Sequence, residues 1–260
     1  MILYYAVGGG LGHLVRATCV LEKLALDATI VTASPFAERV CGARPFLRVP
    51  RELERDRVAH RDWIRGLGAE RILADAFPGG IHGELCGLDV PVDYVARLLR
   101  WDAYRAAVPY ALPQIATTYV VEELTHAPPG NATALDLSLP RVPVVNEEAY
   151  WLVVHSGPEE EVRELVAYAR ELGAPRDLRV ISGGEVWPAT PLFPAAAKII
   201  TAAGFNVVLE TEQWRGKHVA VPFPRRFDDQ FARARRLKKK RLSSANAPGP
   251  AAARYSHSQQ

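Results

Sequence analysis

The sequence predicts an α/β protein of two lobes, each a mostly parallel sheet with helices on both faces, with a cleft between them. Three observations carry this. Short apolar runs alternate with helix-like segments over roughly the first 145 residues. A proline- and glycine-rich stretch from Ala127 to Pro143, with "APPG" and "LPRVP" as breakers, interrupts them, and the same alternation then starts again. At 260 residues, 48% hydrophobic and 23% charged, the chain can bury two modest cores.

The elements follow in order. "ILYYAV" reads as a strand and leads through "GGGLGH" into a helix from Leu11. "ATIVTA" and "FLRV" are the next strands, followed by a charged segment from Glu52. "RILADAF" and "VPVDYVA" come next, the latter feeding the helix "RLLRWDAYRAAV". Asn131-Ala132-Thr133 is expected as an unmodified loop. The first lobe is placed at residues 1–145 and the second at 146–242. The second reads "WLVVHS", the helix "PEEEVRELVAYAREL", "LRVIS", "AKIITA", a helix from Gly204, "HVAVPF" and a last helix from Asp228. Glu159, Glu160 and Glu161 suit the positive end of their helix. The second lobe is shorter by about one βα unit than the usual Rossmann-like lobe.

Charge divides the chain unevenly. Eight of its 32 Lys and Arg follow residue 232 with no acid among them, leaving 24 bases against 29 acids, a net of −5, in residues 1–232. "RARRLKKKR", Arg233 to Arg241, therefore reads as an exposed basic helix end, its candidate partner an anionic membrane surface. No aromatics interleave the charges, which disfavours nucleic acid. Residues 243–260 read as a disordered tail. No apolar run reaches the roughly 18–20 residues of a membrane span, so the expected address is the cytoplasm, with peripheral contact at the inner membrane face as the variant. Cys19, Cys41 and Cys86 form neither a CxxC pair nor a metal-ligand pattern, so no metal is expected.

"VGGGLGH" invites a nucleotide-loop reading that its spacing refuses. Counted from Gly8 and Gly10, the third glycine of a G-x-G-x-x-G fingerprint would fall at His13, and no acid ends the following strand. There is no G-x-x-x-x-G-K-[ST] either. What remains is a loop of small residues, Gly9, Gly10 and Gly12, at the carboxyl edge of a sheet, where open α/β folds bind ligands, with His13 beside it. His13 is a candidate general base, or a helix-start residue bonding the backbone. Asp75, ending "RILAD" at the same edge, would orient the imidazole or cap the next segment.

The second lobe holds another constellation. After the strand ending at Thr201, a small-residue turn carries Gly204 and Asn206 into a helix. Its backbone N–H groups would face a diphosphate, and Glu210 would lie near a ribose. Asp229 and Gln230 open the last helix with a carboxylate and an amide, a pair suited to sugar hydroxyls, or Asp229 is only a helix-start acid, a place Asp228 would fill equally well. Trp187 is a candidate for stacking on a base or for packing in the core, and Arg97, Arg225 and Arg226 are candidate phosphate partners or solvated surface residues.

"GGGLGH", "GFNVVLE" and "PFPRRFDDQ" together resemble the G-G-x-G-H, G-x-N-[ST]-x-x-E and P-x-x-x-D-Q segments of the two-lobed GT-B glycosyltransferases. The likeness is strongest to the branch of UDP-glycosyltransferases and the lipid-linked N-acetylglucosaminyltransferase of bacterial cell-wall synthesis. "ILADAFPGG" resembles a strand-end segment of predicted glycosyltransferases of this type. The resemblance implies an inverting hexosyl- or N-acetylhexosaminyltransferase with a UDP-linked sugar donor and no cofactor. The acceptor hydroxyl would lie on a lipid-linked, glycan or small molecule. It assigns Gly204 and Asn206 to the diphosphate, Glu210 to the ribose, Asp229 and Gln230 to the donor sugar, and His13 to base catalysis. Val207 stands where the pattern has a hydroxyl residue, and Ala202 where plant members have histidine. Backbone amides, Thr201 or a cleft arginine are expected to compensate. Two rival readings share the fold: a non-catalytic nucleotide-sugar-binding protein, and a nucleotide-sugar 2-epimerase or hydrolase.

Overall fold

In the computed structural model, which describes residues 1–8, 10–139, 143, 150–183 and 188–245, the strands form two separate sheets, parallel at every pairing. The first contains β1 (Ile2–Tyr5), β2 (Thr29–Thr32), β3 (Phe46–Arg48), β4 (Arg71–Asp75), β5 (Val92–Ala96), β6 (Ile115–Val120) and β7 (Asn131–Ala134), in the order β3-β2-β1-β4-β5-β6-β7. The second contains β8 (Tyr150–His155), β9 (Arg179–Ser182), β10 (Ala196–Ala202) and β11 (His218–Val221), in the order β11-β10-β8-β9. The helices are α1 (Leu11–Lys23), α2 (Ala37–Cys41), α3 (Arg57–Gly66), α4 (Trp101–Ala107), α5 (Glu159–Glu171), α6 (Phe205–Glu210) and α7 (Gln230–Ala245). Two Rossmann-like lobes, the second with four strands against seven, are the architecture the alternation predicts.

The strand order decides where a ligand can enter. From β1 the chain winds outward through β2 and β3, and from β4 it winds the other way. Consecutive crossovers therefore diverge between β1 and β4 and leave a crevice at the carboxyl edge. The same reversal falls between β8 and β10 in the second sheet. His13 and Asp75 follow and end the first pair of strands; His155 and Gly204 end and follow the second pair.

β1 is apolar throughout because both its faces are covered. Tyr4 and Ala6 pack with Leu14, Ala17 and Leu21 of α1 on one side, while Leu3 and Tyr5 pack with Ile64 of α3 and Ile72 on the other. Each leucine and isoleucine among them contributes roughly 1.5–3 kcal/mol on full burial. α3 starts where Asp56 accepts hydrogen bonds from the Val58 and Ala59 amides, both at 3.0 Å, a cap worth about 1 kcal/mol.

Three readings change. Asn131-Ala132-Thr133 belongs to a strand, not a loop. β7 pairs in parallel with Thr117–Val120 of β6, and its four residues are exposed, so ladder bonds hold it at the sheet edge. The basic run is not one exposed helix end, since Arg233 is 3% exposed and Arg236 donates to the Glu123 carbonyl. α7 also continues to Ala245, into the segment expected as tail. Residues 246–260 lie outside the described residues, as do Gly9, Trp187 and the lobe junction at 144–149. No helix among the described residues is long and apolar enough to cross a membrane.

Candidate active site

The glycine loop after β1 serves the histidine first. Gly10, in extended backbone, precedes α1, and His13 sits in the helix's first turn with its Nδ1 2.6 Å from Asp75 Oδ2. A Cβ on Gly8 would lie 2.4 Å from His13 Cδ2 and 2.6 Å from Nε2, so the ring occupies the space that a side chain at position 8 would fill. No described residue bonds Nε2, and 16% of the His13 side chain stays exposed where it lines the cleft. A Gly8→Ala chain should fold, because its new methyl meets the end of a side chain rather than backbone. Its His13 ring should leave Asp75, with loss of the downfield Nδ1 proton resonance in NMR spectra; an unchanged resonance would show that the ring is not held by this space.

Asp75 is buried and fully engaged. Arg16 donates to it from Nε (2.6 Å) and a terminal nitrogen (2.5 Å), and the Tyr4 hydroxyl donates at 3.0 Å. Burial alone would raise the Asp75 carboxyl, but the Arg16 charge and the bonds from His13 and Arg16 outweigh it and hold the group well below the usual carboxylate range. Burial pulls the His13 imidazole down, the Asp75 bond and charge push it up, and Arg16 and Arg97 pull it down again, leaving it below its ordinary value. The outcome is a neutral imidazole whose Nδ1–H donates to an ionised carboxylate. Directly after Asp75, buried Ala76 takes φ of 64°, a left-handed turn that costs a non-glycine residue about 1 kcal/mol or more and swings the chain away from the sheet. The following loop closes on Glu84, which is buried and accepts from Tyr5, Ile81 and His82.

Facing His13 across a cleft of about 330 Å³ is the second lobe. Gly10, Gly12 and His13 line one wall, with Arg16 and Arg97; Gly204, Asn206, Glu210 and Gln230 line the other. Gly204 is extended and caps α6 without a side chain. Glu210 is bonded by no described residue, and burial pushes its carboxyl up to about 7. The Gln230 carbonyl oxygen accepts from the Phe223 amide at 3.0 Å.

Other expected residues sit elsewhere. Thr201 is buried in the lobe, its hydroxyl 2.9 Å from His218 Nε2, and does not line the cleft. Asp229 does not line it either: it accepts from the Ala232 amide at 2.8 Å and caps α7. The acid at the wall is its neighbour Asp228, bonded by Arg97 and, at 2.9 Å, by Arg233. Arg225 lines the cleft with both terminal nitrogens on Glu161, and Arg226 lies over the Phe227 ring, outside it.

The sequence reading missed Arg16 and His155. His155 ends β8, lines the cleft, and lies with Nε2 2.7 Å from Glu161 Oε2. A histidine closing a strand just before Ser156-Gly157 was the available signal. For Arg16 it was a cation one helical turn after His13. No group of three or more His, Cys, Asp or Glu that could hold a metal occurs among the described residues.

No protein-family model matches the chain, and no curated protein matches it. Solved structures do. The glycosyltransferase SsfS6 of Streptomyces sp. SF2575, complexed with thymidine diphosphate, superposes with a TM-score of 0.57 at 15% identity, over 92% of this chain and 85% of that one. The spinosyn rhamnosyltransferase SpnG, also complexed with thymidine diphosphate, gives 0.53 at 14% identity, over 95% and 85%. SnogD of Streptomyces nogalater, another glycosyltransferase, gives 0.50 at 13% identity, over 92% and 84%. The chain has the two-lobed GT-B fold of these proteins.

Proposed function

We propose that this GT-B chain is an inverting glycosyltransferase that moves a hexosyl or N-acetylhexosaminyl group from a pyrimidine-nucleotide sugar to an acceptor hydroxyl. The observation that carries the reading is the pairing across one cleft of a neutral, carboxylate-backed imidazole with the strand-turn-helix of Gly204 and the carboxyl of Glu210, which no described residue bonds. His13 Nε2 takes the proton of the acceptor hydroxyl as that oxygen bonds the anomeric carbon. The bond from that carbon to the β-phosphate oxygen breaks, and its electron pair leaves with the nucleoside diphosphate. One displacement inverts the anomeric centre. The proton on His13 passes to solvent. Asp75 keeps the ring's free nitrogen turned to the acceptor and stabilises the imidazolium as it forms. Backbone N–H groups at the start of α6 and the cleft arginines face the departing charge. Gly204 is read with the diphosphate turn and Gln230 with the sugar; Asn206, its amide engaged with Gly12 and Arg16, leaves the diphosphate to the backbone of the turn, and Asp229, capping α7, cedes the sugar-facing position to Asp228.

The base is tested directly. Uridine was the expectation; thymidine diphosphate bound to SsfS6 and SpnG adds thymidine. A thermal-shift panel of uridine, thymidine and guanosine nucleotides and their sugars, followed by diphosphate-release assays with lipid-linked, glycan and small-molecule acceptors, decides it. Release that requires an acceptor supports transfer. Release without acceptor points to a hydrolase or epimerase, stabilisation without release to a binding protein, and no response to any nucleotide removes the reading.

Glu210 gives this binding a pH signature. Ribose hydroxyls donate to the ionised carboxylate, so they favour the form that exists above the raised midpoint near 7. Nucleotide-sugar affinity should therefore rise from about pH 6 to about pH 8 and then level, with proton release on binding. Calorimetry in buffers of different ionisation enthalpy measures both. Glu210→Gln should flatten the profile; a flat profile in the unaltered protein would remove the ribose role.

A further inference from the structure

Asn206 and Arg16 meet across the cleft in a way that neither the diphosphate assignment nor the base assignment uses. Asn206, in the first turn of α6, donates from Nδ2 to the Gly12 carbonyl at 2.7 Å, and its Oδ1 faces an Arg16 terminal nitrogen at 3.4 Å. The two partners settle the amide's orientation, since only its nitrogen can donate to a carbonyl and only its oxygen can face a guanidinium. Arg16 is 3% exposed and lies 5.4 Å from the Phe205 ring centroid, so two successive residues of α6 hold it from the second lobe. Its remaining nitrogens form a two-pronged grip on Asp75.

We propose that Arg16 and Asn206 form a positioning relay: Asn206 docks α6 onto the first turn of α1 and steers the Arg16 guanidinium, which fixes the Asp75 carboxylate that orients His13. The proposal rests on the transferase reading for its consequence, because it makes the base competent only when the second lobe is seated. It also gives Asn206 a task other than gripping the diphosphate. A guanidinium is required and not merely a cation: lysine has the charge but not the planar fork that reaches two carboxylate oxygens and a side-chain amide together. The groups facing His13 are Arg16 on α1, Asp75 on β4 with Tyr4 of β1 behind it, the Phe77 ring after β4, and Arg97 after β5. Asp228 acts on Arg16 from the second lobe. Of these, Arg16 alone touches both His13 and Asn206.

The test follows the His13 ring by NMR titration of the full chain, in the unaltered protein and in Asn206→Ala and Arg16→Lys, with Asn206→Ser as the alternative should alanine fail to fold. Nucleotide-sugar affinity is measured in parallel by calorimetry, and turnover with the acceptor found by the panel. Loosening Arg16 weakens its pull on the imidazole, so the His13 midpoint should rise toward the ordinary value by about half a unit or more. Turnover should fall about tenfold or more while nucleotide-sugar affinity stays within about twofold. Affinity reduced about tenfold or more, with an unmoved His13 midpoint, would make Asn206 a diphosphate ligand and overturn the relay. If the unaltered protein binds no nucleotide sugar, the transferase reading fails by itself. The relay is then judged on the titration alone: it stands if Asn206→Ala shifts His13 and falls if it does not.

Discussion

Replacing His13 with glutamine is expected to lower sugar transfer by about 10²- to 10⁴-fold, with nucleotide-sugar affinity unchanged within about twofold. Glutamine keeps a polar side chain that can bond Asp75, but nothing in it accepts a proton near neutral pH. The free Nε2 is the group at stake, because Nδ1 is committed to Asp75 at 2.6 Å. The pH profile of the unaltered protein sharpens the expectation. Burial, with Arg16 and Arg97, holds the imidazole below its ordinary value, so the neutral, base-competent form persists into mildly acid solution. With nucleotide sugar saturating, so that Glu210 does not limit binding, turnover should fall as pH drops through a midpoint below about 6.5, the ordinary histidine value. A glutamine protein with full transfer activity would take the base role from His13; an acid limb above neutrality would contradict the electrostatics of its pocket.

The second large effect is on stability. Asp75→Asn removes the charge that compensates Arg16, a buried guanidinium with 3% of its surface exposed. Breaking a buried pair by removing one partner costs about 3–5 kcal/mol, because the other charge remains without compensation. Denaturant titration should show the midpoint displaced accordingly. The double replacement Asp75→Asn with Arg16→Met should recover most of that loss, since no buried charge is left over. It should not recover transfer activity, because His13 still lacks the carboxylate that orients it. If the double replacement is no more stable than the single one, the cost lies in packing around the Tyr4 hydroxyl, 3.0 Å from Asp75, and not in charge.

Much of the fold was legible because periodicity reports burial. β1, β2, β4, β5, β8, β10 and β11 each coincide with an apolar run, and α1 and α5 with amphipathic segments. β6 and β7 were not, because "IATTYV" lies between prolines and "NATA" buries nothing; pairing partners supplied from afar make them strands. In the cleft, the meeting of His13 with Asp75 was readable from two strand ends at one sheet edge. Arg16 was not, because a cation on a helix is ordinarily solvated, and its burial depends on Asp75 arriving from 59 residues away. The exchange between Asp228 and Asp229 shows the same limit. Adjacent acids at a helix start look alike in sequence, and only the positions of Arg97 and Arg233 decide which one faces the cleft.

Arg233 carries one more consequence. It sits on α7, after the second lobe's last strand, yet it grips Glu122 of the first lobe through two bonds at 2.9 and 2.7 Å while also bonding Asp228 and the Ala203 carbonyl. A chimaera that exchanged lobes at the junction near residue 145 would separate Glu122 from Arg233 and Arg97 from Asp228, leaving two charges of the first lobe without the partners that α7 and the residues before it supply. Recombination of donor and acceptor specificities in this scaffold should therefore move α7 together with the first lobe, so that the C-terminal helix travels with the sheet it is farthest from in sequence.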